Sequence, residues 1–346
     1  MIINHLDISR DYRQETIYQG GGFAYRYESD FAKGVPAPYS HASVAGGCTD
    51  AEGNIYLAGR MSPASAIIKL DPQGNFIKAF GQQCLKEYVH FICCSPEGTL
   101  LCSDTEHHVV QEFDQDGSLI RMMGNYDVPS DSGFDLGYYH NQRRNGFLFP
   151  TEPDMLCDKY WERVAAMQLI TRVAPPFNMP TSVDMLSDGS IVVGDGYGNH
   201  AVHIFSRDGK LLKTFGGHGT WTPEDTPGRF QVVHGMCTDA RDHIWVCDRE
   251  AGAVHVFDRE GNVIAYCSGC MGQPSGVDTD GTNVYVIGRG GYLTIFDLDG
   301  NPVAQLGTFN CDLRAHDLAA APNGDLFLFP THANEDHQCI CLHRMK

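Results

Sequence analysis

A hairpin that recurs five times constrains this chain more than any other feature. It reads LDPQGNFIKAFG at 70–81, FDQDGSLIRMMG at 113–124, FSRDGKLLKTFG at 205–216, FDREGNVIAYCSG at 257–269 and FDLDGNPVAQLG at 296–307. Each copy is an apolar run, a turn of acidic and glycine residues, and a second run, the pattern of two antiparallel strands. The turn glycines 74, 117, 209, 261 and 300 are spaced 43, 92, 52 and 39 residues apart. Upstream of each copy lies another hairpin: GGCTDAEGNIYLAG, HFICCSPEGTLLCSD, TSVDMLSDGSIVVGD, HGMCTDARDHIWVCD and SGVDTDGTNVYVIG, with a sixth, HDLAAAPNGDLFLF, near the C-terminus. Four strands in about 40 residues is one blade of a β-propeller, and six upstream hairpins predict six blades. The fold class expected is therefore all-β, one six-bladed propeller over 1–346.

The sixth blade has a third strand in CICLHRM (339–345) and needs an outer one, which GGFAYRYE (21–28) is placed to supply. Such a closure hides sheet edges that would otherwise pair with other chains. The 92-residue spacing contains an insertion, 125–176, between blades 2 and 3. Within it EPDMLCDKYWERVAAMQLI reads as helical, bounded by Pro150 and by Pro175-Pro176. A segment of this length on a propeller rim is expected to act as a lid over one face.

Composition removes several function classes. Lys+Arg 25 against Asp+Glu 43 gives a net charge of −18, which argues against nucleic acid and anionic membrane as partners. No apolar run is long enough to span a bilayer. The opening MIINHLDISRDYRQ has no basic start followed by an apolar stretch, and the thirteen cysteines are scattered. Both features lead to the expectation of reduced thiols in a cytoplasmic protein.

Three of the sixteen histidines stand apart once the blades are aligned. His90, His234 and His316 each precede the second strand of their blade by nine residues, at Thr99, His243 and Asp325. They fall in blades 2, 4 and 6; the same offset in blades 1, 3 and 5 gives Ala45, Thr181 and Pro274. Residues at one level of alternate blades are related by about 120° and converge on the channel axis. Three convergent imidazoles with an open position make a catalytic site for Zn2+ or another divalent transition metal. The ends of the second strands aim at the same mouth and carry Arg60, Asp104, Tyr197, Arg249, Arg289 and Thr331-His332. Arginines beside a metal in an acidic protein suggest a small-molecule substrate bearing a carboxylate, which guanidinium binds through two hydrogen bonds.

These residues carry a resemblance. PTSVDMLSDGSIVVGDGYGNHAVHIFSRDGKLLKTFG, followed by PGRFQVVHGMCTDARDHIWVCDREAGAVHVFD, resembles the peptidyl-α-hydroxyglycine amidating lyases, and the whole chain is similar to NHL-repeat propellers. The likeness is closest over 177–258 and in register over 41–124 and 310–330. It implies zinc on His90, His234 and His316, a catalytic tyrosine at Tyr197 in the DGY motif, and two arginines at Arg60 and Arg249. It also implies a structural calcium with a carboxylate from Asp317. The departures are Gly198, where the family has a disulfide cysteine, Asn199-His200-Ala201 in place of Asn-Ser-Arg, and Arg314 in place of an apolar residue. The reaction implied is lyase cleavage of a carbon–nitrogen bond at a hydroxyl-bearing carbon, with hydration or dehydration as mechanistic relatives. Arg289, Arg314, Tyr139 and Arg143 are the further substrate-binding candidates, the last two from the insertion's cluster of Tyr138, Tyr139, His140, Arg143 and Arg144.

Other classes leave other marks. A non-catalytic NHL scaffold gives no reason for alternate-blade histidines. A lactonase-type propeller needs carboxylate and Asn ligands, which the aligned positions lack. Cys267-Ser-Gly-Cys270 is the one CxxC, and it sits at a strand end rather than in a redox-type unit. The acidic turns lack the twelve-residue spacing of a calcium loop.

Overall fold

The structure, a computed structural model, describes residues 16–60, 65–86, 88–134, 167, 169–219, 227–269, 271–308, 313–331 and 338–346. Six antiparallel sheets form the blades: five of four strands, and a sixth of five. Blades 1 to 5 run in chain order over 43–80, 89–124, 182–216, 233–268 and 274–307. Their first strands contact one another in sequence, and the ring closes from blade 6 back to blade 1, so these strands line the axis.

Blade 6 joins both ends of the described chain. Asp317–Ala320, Leu326–Phe329 and Ile340–Arg344 are its inner strands, and Phe23–Glu28 pairs with the last of them. Thr16–Gly20 adds an edge strand that the sequence pattern did not predict. Its partner Phe23–Glu28 is the segment expected to close the ring.

Local chemistry explains the repeated hairpins. In the first, Asp71 Oδ1 accepts from the backbone N–H of Gln73 at 2.9 Å and of Asn75 at 2.8 Å, which holds the turn in place of a ladder bond. Gly74 sits at φ 81°, where a β-carbon would stand 2.0 Å from the Phe31 carbonyl oxygen. Between blades the cores are continuous and apolar; one cluster joins Val192, Val202 and Phe230 to Val233, Val246 and Phe257. The cysteines among the described residues are free thiols, and no described helix is long and apolar enough to cross a membrane.

The helix expected from EPDMLCDKYWERVAAMQLI, together with Tyr139 and Arg143, lies outside the described residues apart from Met167 and 169–170. The insertion's described ends are docked. Phe134, Met167 and Ile170 form a buried cluster with Met179, Val232 and Tyr197. Asn178 Nδ2 donates to the Ser130 carbonyl at 3.0 Å, and Ser132 Oγ donates to the Gly198 carbonyl.

Blade 4 supplies a pH prediction. His255 is buried with Nδ1 accepting from Gly228 N–H at 3.1 Å, and burial pushes its pKa down to about 4. A histidine whose folded pKa is depressed contributes stability that is present above its unfolded value and lost as pH falls toward the folded one. Across the window from about 6.5 to 4, wild type should lose about 3 kcal/mol relative to His255→Phe. Urea unfolding of both proteins at pH 7 and pH 4 checks this; parallel pH dependence would show that His255 is protonated in the fold.

Candidate metal centre

His90 and His234 lie in the first strands of blades 2 and 4, and His316 immediately precedes that of blade 6. All three are buried, with ligand nitrogens within 4.8 Å of one another. Ring centroids are 4.8 Å apart for His90–His234, 5.0 Å for His90–His316 and 4.7 Å for His234–His316. The intervening blades fix the rings. His90 Nδ1 meets the Thr181 carbonyl at 2.7 Å, His234 Nδ1 that of Ser275 at 2.8 Å, and His316 Nδ1 that of Ala45 at 2.6 Å. A carbonyl only accepts, so each Nδ1 carries the hydrogen and each Nε2 presents its lone pair. The blade 5 carbonyl is that of Ser275 rather than Pro274, because the hairpin turn that follows is one residue shorter: Asp280 N–H bonds the Asn283 carbonyl three residues on, where Asp239 in blade 4 bonds that of His243 four residues on.

This donor set fits a divalent transition metal. Outer-sphere carbonyls on the remote nitrogens are the usual way a metal-binding imidazole is oriented. His234 Nε2 is buried and has no hydrogen-bond partner among the described residues. Burial first, then Arg249 and the other two imidazoles, holds His234 neutral well below the ordinary histidine range. His316 is likewise held down by burial, His90 and Arg60. Neutral imidazole is the ligating form.

Tyr197 and Arg249 stand at the rim. Tyr197 is buried, and its hydroxyl donates to His90 Nε2 at 3.2 Å while accepting from Arg249 Nη1 at 3.4 Å. The guanidinium carbon lies 5.7 Å from the Tyr197 ring centre. Arg60 is also buried, 5.5 Å over the Tyr88 ring, on the His316 side. Arg289 and Arg314 are exposed at the strand end of blade 5 and two residues before His316. Asp104 is structural: it binds His107 Nδ1 at 2.6 Å and Gln111 Nε2 at 2.9 Å.

Sequence reasoning missed three parts of this site. Glu250 holds Arg249 through Nε at 2.9 Å and Nη2 at 2.6 Å, and Gln273 Nε2 donates to its other oxygen at 3.0 Å. Burial opposes the Arg249 charge, but Glu250 and Tyr197 outweigh it and leave the pKa above the usual guanidinium value. Asp195 and Asp248 anchor the loops entering their blades. Asp195 accepts from Asn178 N–H at 2.9 and 2.8 Å, and Asp248 from Gln231 and Val232 N–H at 2.9 Å each, next to His234. Their signal was a shared aspartate at the end of the second strand, directly before Tyr197's turn and Arg249. Phe91 is the third. Its ring lies 4.4, 5.3 and 5.4 Å from the rings of His90, His234 and His316 and floors the cluster.

Asp317, expected from the resemblance to hold calcium, is not in the three-imidazole group. Its Oδ2 accepts from Gly47 N–H at 3.2 Å. Glycine is required at the preceding position: a β-carbon at Gly46 would stand 2.4 Å from Asp317 Oδ2 and 2.5 Å from Phe91 Cδ1.

The buried Arg249–Glu250 pair, 5% and 3% exposed, makes a testable hinge of the site. Glu250→Gln leaves a buried guanidinium without its counter-charge and should cost about 3 kcal/mol in urea unfolding. A loss below about 1 kcal/mol would mean that other groups, not Glu250, hold Arg249.

Fold and site together define a six-bladed β-propeller with a channel cluster of three inward imidazoles. Comparison with known proteins agrees on the architecture. The NHL repeat pattern matches residues 177–205. NHL repeat-containing protein 3 of Mus musculus is 23% identical over 213 residues, 60% of this chain and 49% of that protein. The chain thus spans about half the length of the curated relative it matches. Among solved structures, a streptogramin B lyase superposes with a TM-score of 0.56 at 10% identity, covering 93% of this chain and 98% of that one. A gluconolactonase from Xanthomonas campestris gives 0.58 at 13%, covering 93% and 90%. The WD40 β-propeller domain of Doa1 gives 0.53 at 11%, covering 95% and 88%. At these identities the likeness concerns the fold, which lyases, lactonases and WD40 domains share.

Proposed function

We propose that this protein is a metal-dependent lyase acting on a small hydroxylated substrate that bears a carboxylate. The observation that carries this reading is the convergence of three Nε2 lone pairs from alternate blades, with Tyr197 and Arg249 hydrogen bonded at their rim. His90, His234 and His316 would hold the ion, which when bound supplies Lewis acidity toward an oxygen of the substrate.

The chain's own groups do the rest. Glu250 balances the Arg249 charge, so Arg60 is the cation that would draw a carboxylate to the channel in a protein of net charge −18. Arg249 is braced by Glu250 and donates Nη1 to Tyr197 Oη, stabilising that oxygen when it carries negative charge. With its own proton released to solvent, Tyr197 Oη, a phenolate beside Arg249, is the group that accepts a proton from the substrate hydroxyl, the step that lets the bond at the hydroxyl-bearing carbon break. Phe134, Met167 and Ile170 pack against the Tyr197 cluster and exclude water from that side. A streptogramin B lyase and a gluconolactonase among the solved structures of this fold support a propeller that works as an enzyme.

The test is an assay of glyoxylate release from N-acyl-α-hydroxyglycines of graded acyl size, run beside metal analysis of the same preparation. Release that vanishes on chelation and returns with a divalent ion is the expected result. A metal-replete protein that releases nothing from any of them, yet hydrates or dehydrates a hydroxy acid, would move the assignment to the hydratase reaction.

A further inference from the structure

A second group of ligand atoms lies far from the channel, in the blade that closes the ring. Asp325, Cys341 and His343 bring an oxygen, a sulfur and a nitrogen within 4.8 Å of one another. Cys341 and His343 alternate on the last strand of blade 6 and share a face of it. Asp325 stands just before the neighbouring strand, where Leu326 pairs with Leu342. His343 Nδ1 is 3.5 Å from Cys341 Sγ and 3.4 Å from Asp325 Oδ2. Bond lengths of about 2.3 Å to sulfur and 2.0–2.1 Å to nitrogen and oxygen in a tetrahedral zinc site put ligand atoms roughly 3.3–3.6 Å apart. The two spacings to His343 Nδ1 fit those edges, and the sulfur and carboxylate oxygen lie within 4.8 Å of each other.

The surroundings are built for such a site. Glu28, from the N-terminal strand of the same blade, takes His343 Nε2 at 2.8 Å, so Nδ1 is the nitrogen turned to the sulfur and the carboxylate. A carboxylate on the remote nitrogen is the arrangement that orients a zinc-binding imidazole. Asp325 is fixed by Arg344 N–H at 2.7 Å to Oδ1 and by Asn323 Nδ2 at 3.0 Å to Oδ2. Cys341 is fully buried, while the His343 and Asp325 side chains are 23% and 17% exposed, which gives an ion a way in.

We propose that Asp325, Cys341 and His343 bind a divalent cation of the zinc class, with water completing the tetrahedron and Glu28 acting as the positioning residue for His343. Binding replaces the thiol proton: one S–H bond breaks, one sulfur–metal bond forms, and a proton leaves to solvent. The ion clasps the last two strands of the ring, with the N-terminal strand behind them.

Cobalt titration of the chelator-treated full chain tests this, because a thiolate ligand gives Co2+ an intense near-ultraviolet charge-transfer absorption that imidazoles alone do not. Wild type should show that absorption, complete by two equivalents because the channel cluster takes cobalt as well, and displaced by Zn2+. His316→Ala should retain it, since the channel cluster has no sulfur. Cys341→Ser and His343→Ala should lose it, and Glu28→Gln should weaken cobalt binding by about 10- to 100-fold. If Cys341→Ser fails to fold, His343→Ala and Asp325→Asn carry the same reading. Absence of the absorption in folded wild type, or its persistence in both His343→Ala and Asp325→Asn, would overturn the proposal.

Discussion

Replacing His234 with alanine should remove one equivalent of divalent metal from the protein while the propeller stays folded. His234 is the residue of choice because its Nε2 has no other described partner and its Nδ1 is already bound to the Ser275 carbonyl. Its only unmet chemistry faces the axis. Loss of a ligand should weaken binding by more than the 10- to 100-fold that losing an outer-sphere partner costs. The fold should survive, because the apolar core between blades 3 and 4, with Phe230, Val246 and Phe257 around this strand, is untouched. Metal analysis after dialysis, circular dichroism and the cobalt spectrum read the outcome together. His243→Ala is the control, since that imidazole pairs with Asp239 on a hairpin turn. If His234→Ala keeps as much metal as wild type, the channel is a packed cluster of neutral imidazoles and the enzymatic reading falls with it.

Tyr197→Phe should bind metal and substrate as wild type does and turn over about 10²- to 10⁴-fold more slowly, the usual contribution of a positioned proton-transfer group. Phenylalanine keeps the ring in the cluster of Phe134, Met167, Ile170, Met179 and Val232, so packing is preserved. What goes is the single oxygen that links Arg249 Nη1 to His90 Nε2. A fall in kcat with KM unchanged separates this role from substrate binding. Steady-state kinetics across pH 5 to 9 decides the matter; equal kcat for the two proteins at every pH would end the general-base assignment.

Blades, ring closure and the three histidines were legible because each rests on short-range rules. An acidic turn with a glycine at positive φ makes a hairpin wherever it occurs, as at Asp71 and Gly74. Strand periodicity then fixes which residue of each blade reaches the axis, so the nine-residue offset of His90, His234 and His316 could be read by counting. The edge strand Thr16–Gly20 escaped because it has no repeat partner to be aligned with.

The sequence alone thus determined the repeat, the number of blades and the level at which imidazoles meet. Only the tertiary structure decided what holds them. The Nδ1 atoms are pinned by carbonyls 91, 41 and 271 residues away in the chain. Asp317 spans 270 residues to Gly47, and Glu28 spans 315 to His343. Backbone carbonyls carry no side-chain signature, and partners this distant become neighbours only when one blade packs against the next around the ring. That is why Phe91 beneath the cluster and Glu28 behind His343 had to wait for the closed ring.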